Sequence, residues 1–134
     1  DCGAMKGLCH PERLGSMPNV AAWLRHGHAA HSIVCQAYPP DIDEEQRVRA
    51  VAMENVVIQL AHLQTHPSVA ASLARNEMTL HGWFFDIDCG SVLAYDGQSS
   101  RFRDVADSEP IPVAVSGRAE PHVVPEPVNL AMAG

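Results

Sequence analysis

Residues 1–7 read DCGAMKG, a cysteine followed by glycine and alanine at the head of a helix-forming run. Small residues of this kind mark a turn that feeds a helix, where backbone N–H groups point outward and favour a thiolate or an anion. Cys2 is therefore a candidate metal ligand or nucleophile, and the plain alternative is a small buried residue near a chain end. The stretch carries no initiating methionine and reads as a motif already under way.

Moving outward, HPERLGSMPN (10–19) is punctuation, because Pro11, Gly15 and Pro18 cannot share one helix. Asn19 is placed to cap a helix through VAAWLRHGHAAHSIV, with Val20, Trp23 and Leu24 on one face and Gly27 weakening its middle. AYPPDIDEEQ (37–46) breaks the chain again and ends in a strong helix start: Asp43 as cap, Glu44 and Glu45 at the positive end of the dipole, Gln46 at capping-box spacing. Val48, Val51, Ala52, Val56, Ile58, Leu60 and Leu63 then recur at helical steps, and Val57 and Ala61 widen the stripe until it is mostly buried. Pro67 interrupts it, and a shorter helix restarts with Ser68 placed as cap.

The period changes in MTLHGWFFDID and SVLAYDG, which are rich in aromatic and branched residues and flank the turn signal DCG. The expectation is a β-hairpin with Gly90 at a positive φ. After about Arg103 the pattern is lost, and residues 110–134 hold five of the ten prolines and no aromatic. Residues 104–134 are thus expected to form a Pro-rich, mostly disordered tail behind a domain of residues 1–103. One hairpin cannot stabilise a sheet alone, and the wide apolar helix faces ask for more sheet than this sequence supplies.

A chain of 134 residues accommodates one domain with a real core. Nine basic against sixteen acidic residues give a net charge of −7, and the scattered Lys and Arg argue against nucleic acid or an anionic membrane as partner. No apolar run reaches the roughly 20 residues that span a bilayer. The first stretch lacks the features of a signal peptide. Four cysteines, Cys2, Cys9, Cys35 and Cys89, admit two disulfides, but a helical chain of this size needs none; free or metal-bound thiols in a cytoplasmic protein are the expectation.

Other metal-ligating types are present but poorly spaced. Cys9-His10 lacks the close pairing of structural zinc sites, and His26, His28 and His31, like His62 and His66, have no obvious third ligand. No Gly-rich phosphate loop and no Gly-x-Ser-x-Gly elbow occurs.

Taken together, DCGAMKG, MPNVAAWLRHGHAA and ENVVIQLAHLQTHPSVAASLARNEMTLHGWFFDIDCGSVLAYD resemble, in order, the beta-class carbonic anhydrases from Asp1 to about Asp96. The first is similar to that family's second zinc-ligand motif, His-x-x-Cys-Gly followed by a small residue. CGAMKG alone is moderately specific; with LHGWFFDI in the right order the pattern is highly specific. The resemblance implies an α/β fold with helices around a mostly parallel sheet, here without its first strands, and with a C-terminal hairpin. It implies a zinc lyase that interconverts carbon dioxide and bicarbonate and works as a homodimer or an assembly of dimers. The family holds zinc through two cysteines and one histidine, and the metal makes a bound water acidic enough to serve as the nucleophile near neutral pH.

Carried over by position, Cys2 is the one matching zinc ligand, while Gly3 and Ala4 match the small residues that let the backbone approach zinc and substrate. The motif's histidine would lie three residues before Cys2, and the family's Cys-x-Asp-x-Arg motif, which holds the other cysteine and the catalytic Asp-Arg pair, is absent from this sequence. The chain is accordingly expected to be the C-terminal portion of a carbonic anhydrase, inactive by itself. Two alternatives stand beside this reading. One is a catalytically inactive scaffold or bicarbonate-binding relative; the other is a thiol enzyme with Cys2 as nucleophile.

Overall fold

The long helix organises the molecule. In the computed structural model, which describes residues 2–106, Asp43 takes an extended φ of −62° and ψ of 157°, and its carboxylate accepts the Gln46 amide at 2.9 Å. That cap launches α4, Glu44–Thr65, as the sequence leads one to expect. Its Val48, Val51, Val57 and Leu60 are buried, whereas Leu63 is 46% exposed, so the apolar stripe stops one turn short of the expected end.

Two shorter helices, the first and third, lie against it, and the second packs on the first. α1 spans Gly3–Cys9, α2 Pro18–Leu24 and α3 His28–Ala37, and a 3-10 turn at Pro11–Leu14 follows α1. Leu8, Leu14, Leu24, Val34 and Val51 form one core cluster, drawn from each of these segments and from α4. The single helix expected from Asn19 is two, separated by a 3-10 turn at Arg25–Gly27. Gly27 does more than weaken a helix: a Cβ there would stand 2.7 Å from Leu8 Cδ2, so any larger residue at the α2–α3 junction would push on the Leu8 side chain of α1. Met17, not Asn19, precedes the first turn of α2, with Pro18 at a first-turn position that needs no N–H donor. The same chemistry sets α5, Pro67–Ala74, whose cap residue is His66; Ser68 Oγ lies 3.0 Å from His66 Nδ1.

The sheet has three strands where a hairpin is expected, β1 Trp83–Asp86, β2 Ser91–Asp96 and β3 Arg101–Asp104, in the order β1-β2-β3. Both pairings are antiparallel, with Phe84 opposite Leu93 and Tyr95 opposite Phe102, so the mostly parallel sheet is not what the described residues form. The β1–β2 turn matches its expectation: Gly90 has φ +70° and its amide donates to the Asp86 carbonyl at 2.8 Å. β3 escapes a sequence reading because RFRD is short and charged at three of its four positions. It is held by the Tyr95–Phe102 ring pair, 5.3 Å between centroids, and by the turn carboxylate of Asp96.

Gly82 joins sheet to helix. A Cβ at this buried position would lie 2.7 Å from both Leu60 Cδ1 and Val56 Cγ1, so β1 meets α4 at backbone distance. Alternation along β1 then turns Phe84 and Asp86 toward α4 and leaves Trp83, Phe85 and Ile87 about 60% exposed. The stretch expected to be a tail lies, from residue 107 onward, outside the described residues. Among the described residues no helix is long and apolar enough to cross a membrane.

Candidate metal centre and the groove around it

Cys2 stands where its sequence context places it, at the N-cap of α1 with extended backbone, φ −104° and ψ 111°. Its carbonyl accepts the Lys6 amide at 3.0 Å, which closes the first turn, while its thiol is exposed and makes no cap bond. Gly3 and Ala4 follow on the exposed first turn. A Cβ built on Gly3 meets no atom within 4 Å, so nothing in the described chain itself demands glycine there.

Cys2 forms part of the wall of an open groove of about 500 Å³. α1 contributes Cys2 and Lys6, the first turns of α4 contribute Glu45 and Arg49, and β1 with its following turn contributes Phe84, Asp86 and Asp88. The organising contact is one that sequence reading did not assign. Arg49 donates to the Asp86 carboxylate, and its guanidinium carbon also sits 4.9 Å above the Phe84 ring. The Arg49 guanidinium holds Asp86 below the ordinary carboxylate range, burial opposes it, and the Asp88 amide at 3.1 Å adds to the depression. Both side chains are mostly withdrawn from water, Arg49 at 29% and Asp86 at 12% exposure, so the pair is screened less than a surface bridge. A sequence signal for it does exist: Asp86 lies two residues from Phe84 on the helix-facing side of a strand, where a carboxylate requires a cation.

The other candidates do not converge on Cys2. His26 packs edge-on against Trp23, His28 lies 3.5 Å from Ser32 Oγ, and His31 lies 3.4 Å from Cys35 Sγ. His10 bridges Glu12 and Glu44 at 3.2 and 3.1 Å, and Cys89 lies beside Ser91 in the β1–β2 turn. Among the described residues no three His, Cys, Asp or Glu side chains are grouped so as to hold a metal ion. The donor chemistry of Cys2 suits zinc, but one thiol is not the three-ligand set that a catalytic zinc site requires.

Comparison with known proteins agrees with this architecture. The carbonic anhydrase family model matches residues 1–92, and the chain belongs to the beta-class carbonic anhydrase family. Carbonic anhydrase 1 of Escherichia coli O157:H7 is 41% identical over 106 residues, which are 79% of this chain and 48% of that protein. A carbonic anhydrase of Pseudomonas aeruginosa is 40% identical over 107 residues, 80% of this chain and 48% of its own length. The beta-carbonic anhydrase CcaA superposes with a TM-score of 0.74 at 37% identity, covering 82% of this chain and 48% of that one. The chain thus spans about half the length of the relatives it matches.

Proposed function

We propose that this chain forms the Cys2-bearing part of a zinc-dependent carbonic anhydrase that interconverts carbon dioxide and bicarbonate. Cys2 supplies one thiolate ligand, and the remaining ligands and the Asp-Arg pair come from chain outside the described residues. The observation that carries the reading is the exposed Cys2 at the head of α1, inside a family match over residues 1–92. Zinc supplies Lewis-acid activation of water near neutral pH when bound. The chain's own part is positional: α1 holds the thiol at its first turn, and Gly3 and Ala4 keep that turn low so a small substrate can approach. The Arg49–Asp86 pair ties β1 to α4 and keeps the opposite groove wall at a set distance from Cys2. A dimer or an assembly of dimers belongs to the same proposal, and the exposed residues Trp83, Phe85 and Ile87, the last two at the groove, are the kind of apolar surface a subunit interface buries.

The test is zinc content and carbon dioxide hydration, measured on the intact protein and on Cys2→Ser. Stoichiometric zinc in the parent, with loss of both metal and activity in the variant, is the expected result. Full activity in Cys2→Ser would overturn the assignment. A parent that neither binds zinc nor turns over carbon dioxide would favour the inactive scaffold. The 134-residue chain by itself is expected to bind well under one zinc per molecule.

A further inference from the structure

A second thiol centre lies away from Cys2, at the end of the bundle where α1, α3 and α4 meet. α1 ends at Cys9, and the next residue, His10, is fastened by Nε2 to Glu44 at the head of α4. α3 runs side by side with α4 and ends at Ala37, close to the start of α4 at Glu44, which brings Cys35 to the same end. Leu8 and Val34, the sequence neighbours of the two cysteines, belong to one core cluster, and Cys9 itself packs on that cluster. Both cysteines are free, Cys35 exposed and Cys9 half-buried. Burial pushes the Cys9 thiol up, and the charge of Cys35 is the next influence in the same direction.

Cys35 has a proton acceptor beside it. Its Sγ lies 3.4 Å from His31 Nε2, one helical turn earlier on the same face. Burial, and after it the charges of His28 and Arg47, hold His31 below its ordinary 6.5, so the ring is neutral at pH 7 and can take the thiol proton. The two sulfurs are therefore unequal: Cys35 is the accessible attacker, and Cys9 is the protected thiol that resolves.

We propose that Cys9 and Cys35 form a reversible intramolecular disulfide by exchange with a small-molecule disulfide, with Cys35 attacking first and His31 accepting its proton. The Cys35 thiolate attacks one sulfur of R–S–S–R, that S–S bond breaks, and RS⁻ leaves to be protonated to RSH. The Cys9 thiolate then attacks the Cys35 sulfur of the mixed disulfide, and a second RSH is released. Two protein thiols are oxidised to one disulfide and one R–S–S–R is reduced to two RSH, so atoms and electrons balance. The bond closes the loop from residue 9 to residue 35 and fastens α1, whose other end carries Cys2, to α3. This inference does not rest on the carbon dioxide reading, because neither sulfur belongs to the Cys2 groove.

The experiment treats the intact protein with glutathione disulfide and follows maleimide-reactive thiols, with peptide mapping under non-reducing conditions. Loss of two reactive thiols and a peptide pair joining Cys9 to Cys35 is expected, restored by dithiothreitol. Cys9→Ser should stop at glutathione attached to Cys35, and Cys35→Ser should leave Cys9 unmodified over the same period. His31→Gln should give the same product several-fold more slowly; an unchanged rate removes the histidine from the scheme. Glutathione attached separately to both cysteines of the parent, or a cross-link that involves Cys2 or Cys89, would overturn the proposal. Mapping reads the bond itself, so the outcome is independent of zinc and of activity.

Discussion

Adding one methyl group at Gly82 tests the packing that joins sheet to helix. In Gly82→Ala the new Cβ would lie 2.7 Å from Leu60 Cδ1 and 2.7 Å from Val56 Cγ1, against an ordinary carbon–carbon contact of about 3.5–4.0 Å. Roughly 1 Å must therefore be found on two sides at once. Val56 is β-branched on a helix and has essentially one comfortable rotamer, while Leu60 is buried at 7% exposure, so neither side chain swings clear cheaply. The remaining escape lifts β1 from α4 and stretches the Arg49–Asp86 contact two turns of packing away. Overpacking of this kind costs about 1–3 kcal/mol. Urea denaturation of the intact protein should show that loss, and Val56→Ala in the Gly82→Ala background should recover part of it. The coupling in the double-mutant cycle should be about 0.5 kcal/mol or more in the restoring direction. A Gly82→Ala protein within a few tenths of a kcal/mol of the parent, or strictly additive substitutions, would refute the close-approach reasoning.

Asp86→Asn should cost about 1–3 kcal/mol at pH 7, read by the same denaturation, because the charge-assisted bond to Arg49 is lost while its contact with the Phe84 face stays. Its effect should depend on pH. Asp86 titrates lower when folded than when unfolded, so its stabilisation is complete above the ordinary carboxylate value of 3.8 and is lost as pH falls through the depressed folded value. Asp96 adds to the same acid loss: the Ser99 hydroxyl at 2.7 Å and the Gln98 amide at 2.9 Å hold it low against burial. Asp86→Asn and Asp96→Asn should each flatten the stability-against-pH curve below about pH 4, and a curve as steep as the parent's would count against both partner assignments. Asp43→Ala should remove the α4 cap and cost about 1 kcal/mol, with hydrogen exchange quickening first at residues 46–48.

Features decided by neighbours within a few residues are legible in the chain. Asp43 caps α4 because its carboxylate reaches an amide three residues on, and Gly90 takes its positive φ because a tight turn between two apolar runs requires it. Cys2 falls in this class, since its position at the head of a helix follows from the small residues after it. Short-range reading errs where two local rules compete, as at Ser68 and Asn19, where a proline at the first turn moved the helix start.

Long-range relations account for the rest. Gly27 looks like a helix weakener in the sequence and Gly82 carries no signal there, yet a Cβ at either would press on side chains from another element, Leu8 in one case and Val56 with Leu60 in the other. Arg49 and Asp86 are separated by 37 residues and meet only because β1 lies on α4. The edge strand β3 forms because β2 offers it a hydrogen-bonding edge and Tyr95 offers Phe102 a ring, although RFRD has little strand character alone. The sequence by itself determined the caps, the turns, the period of each segment and the candidate thiol, because those depend on local backbone geometry and hydrogen bonding. Tertiary structure alone decided which glycines are packing sites, which carboxylate finds its cation, and which wall faces Cys2, because each of these depends on distances that close only when the helices and the sheet are packed.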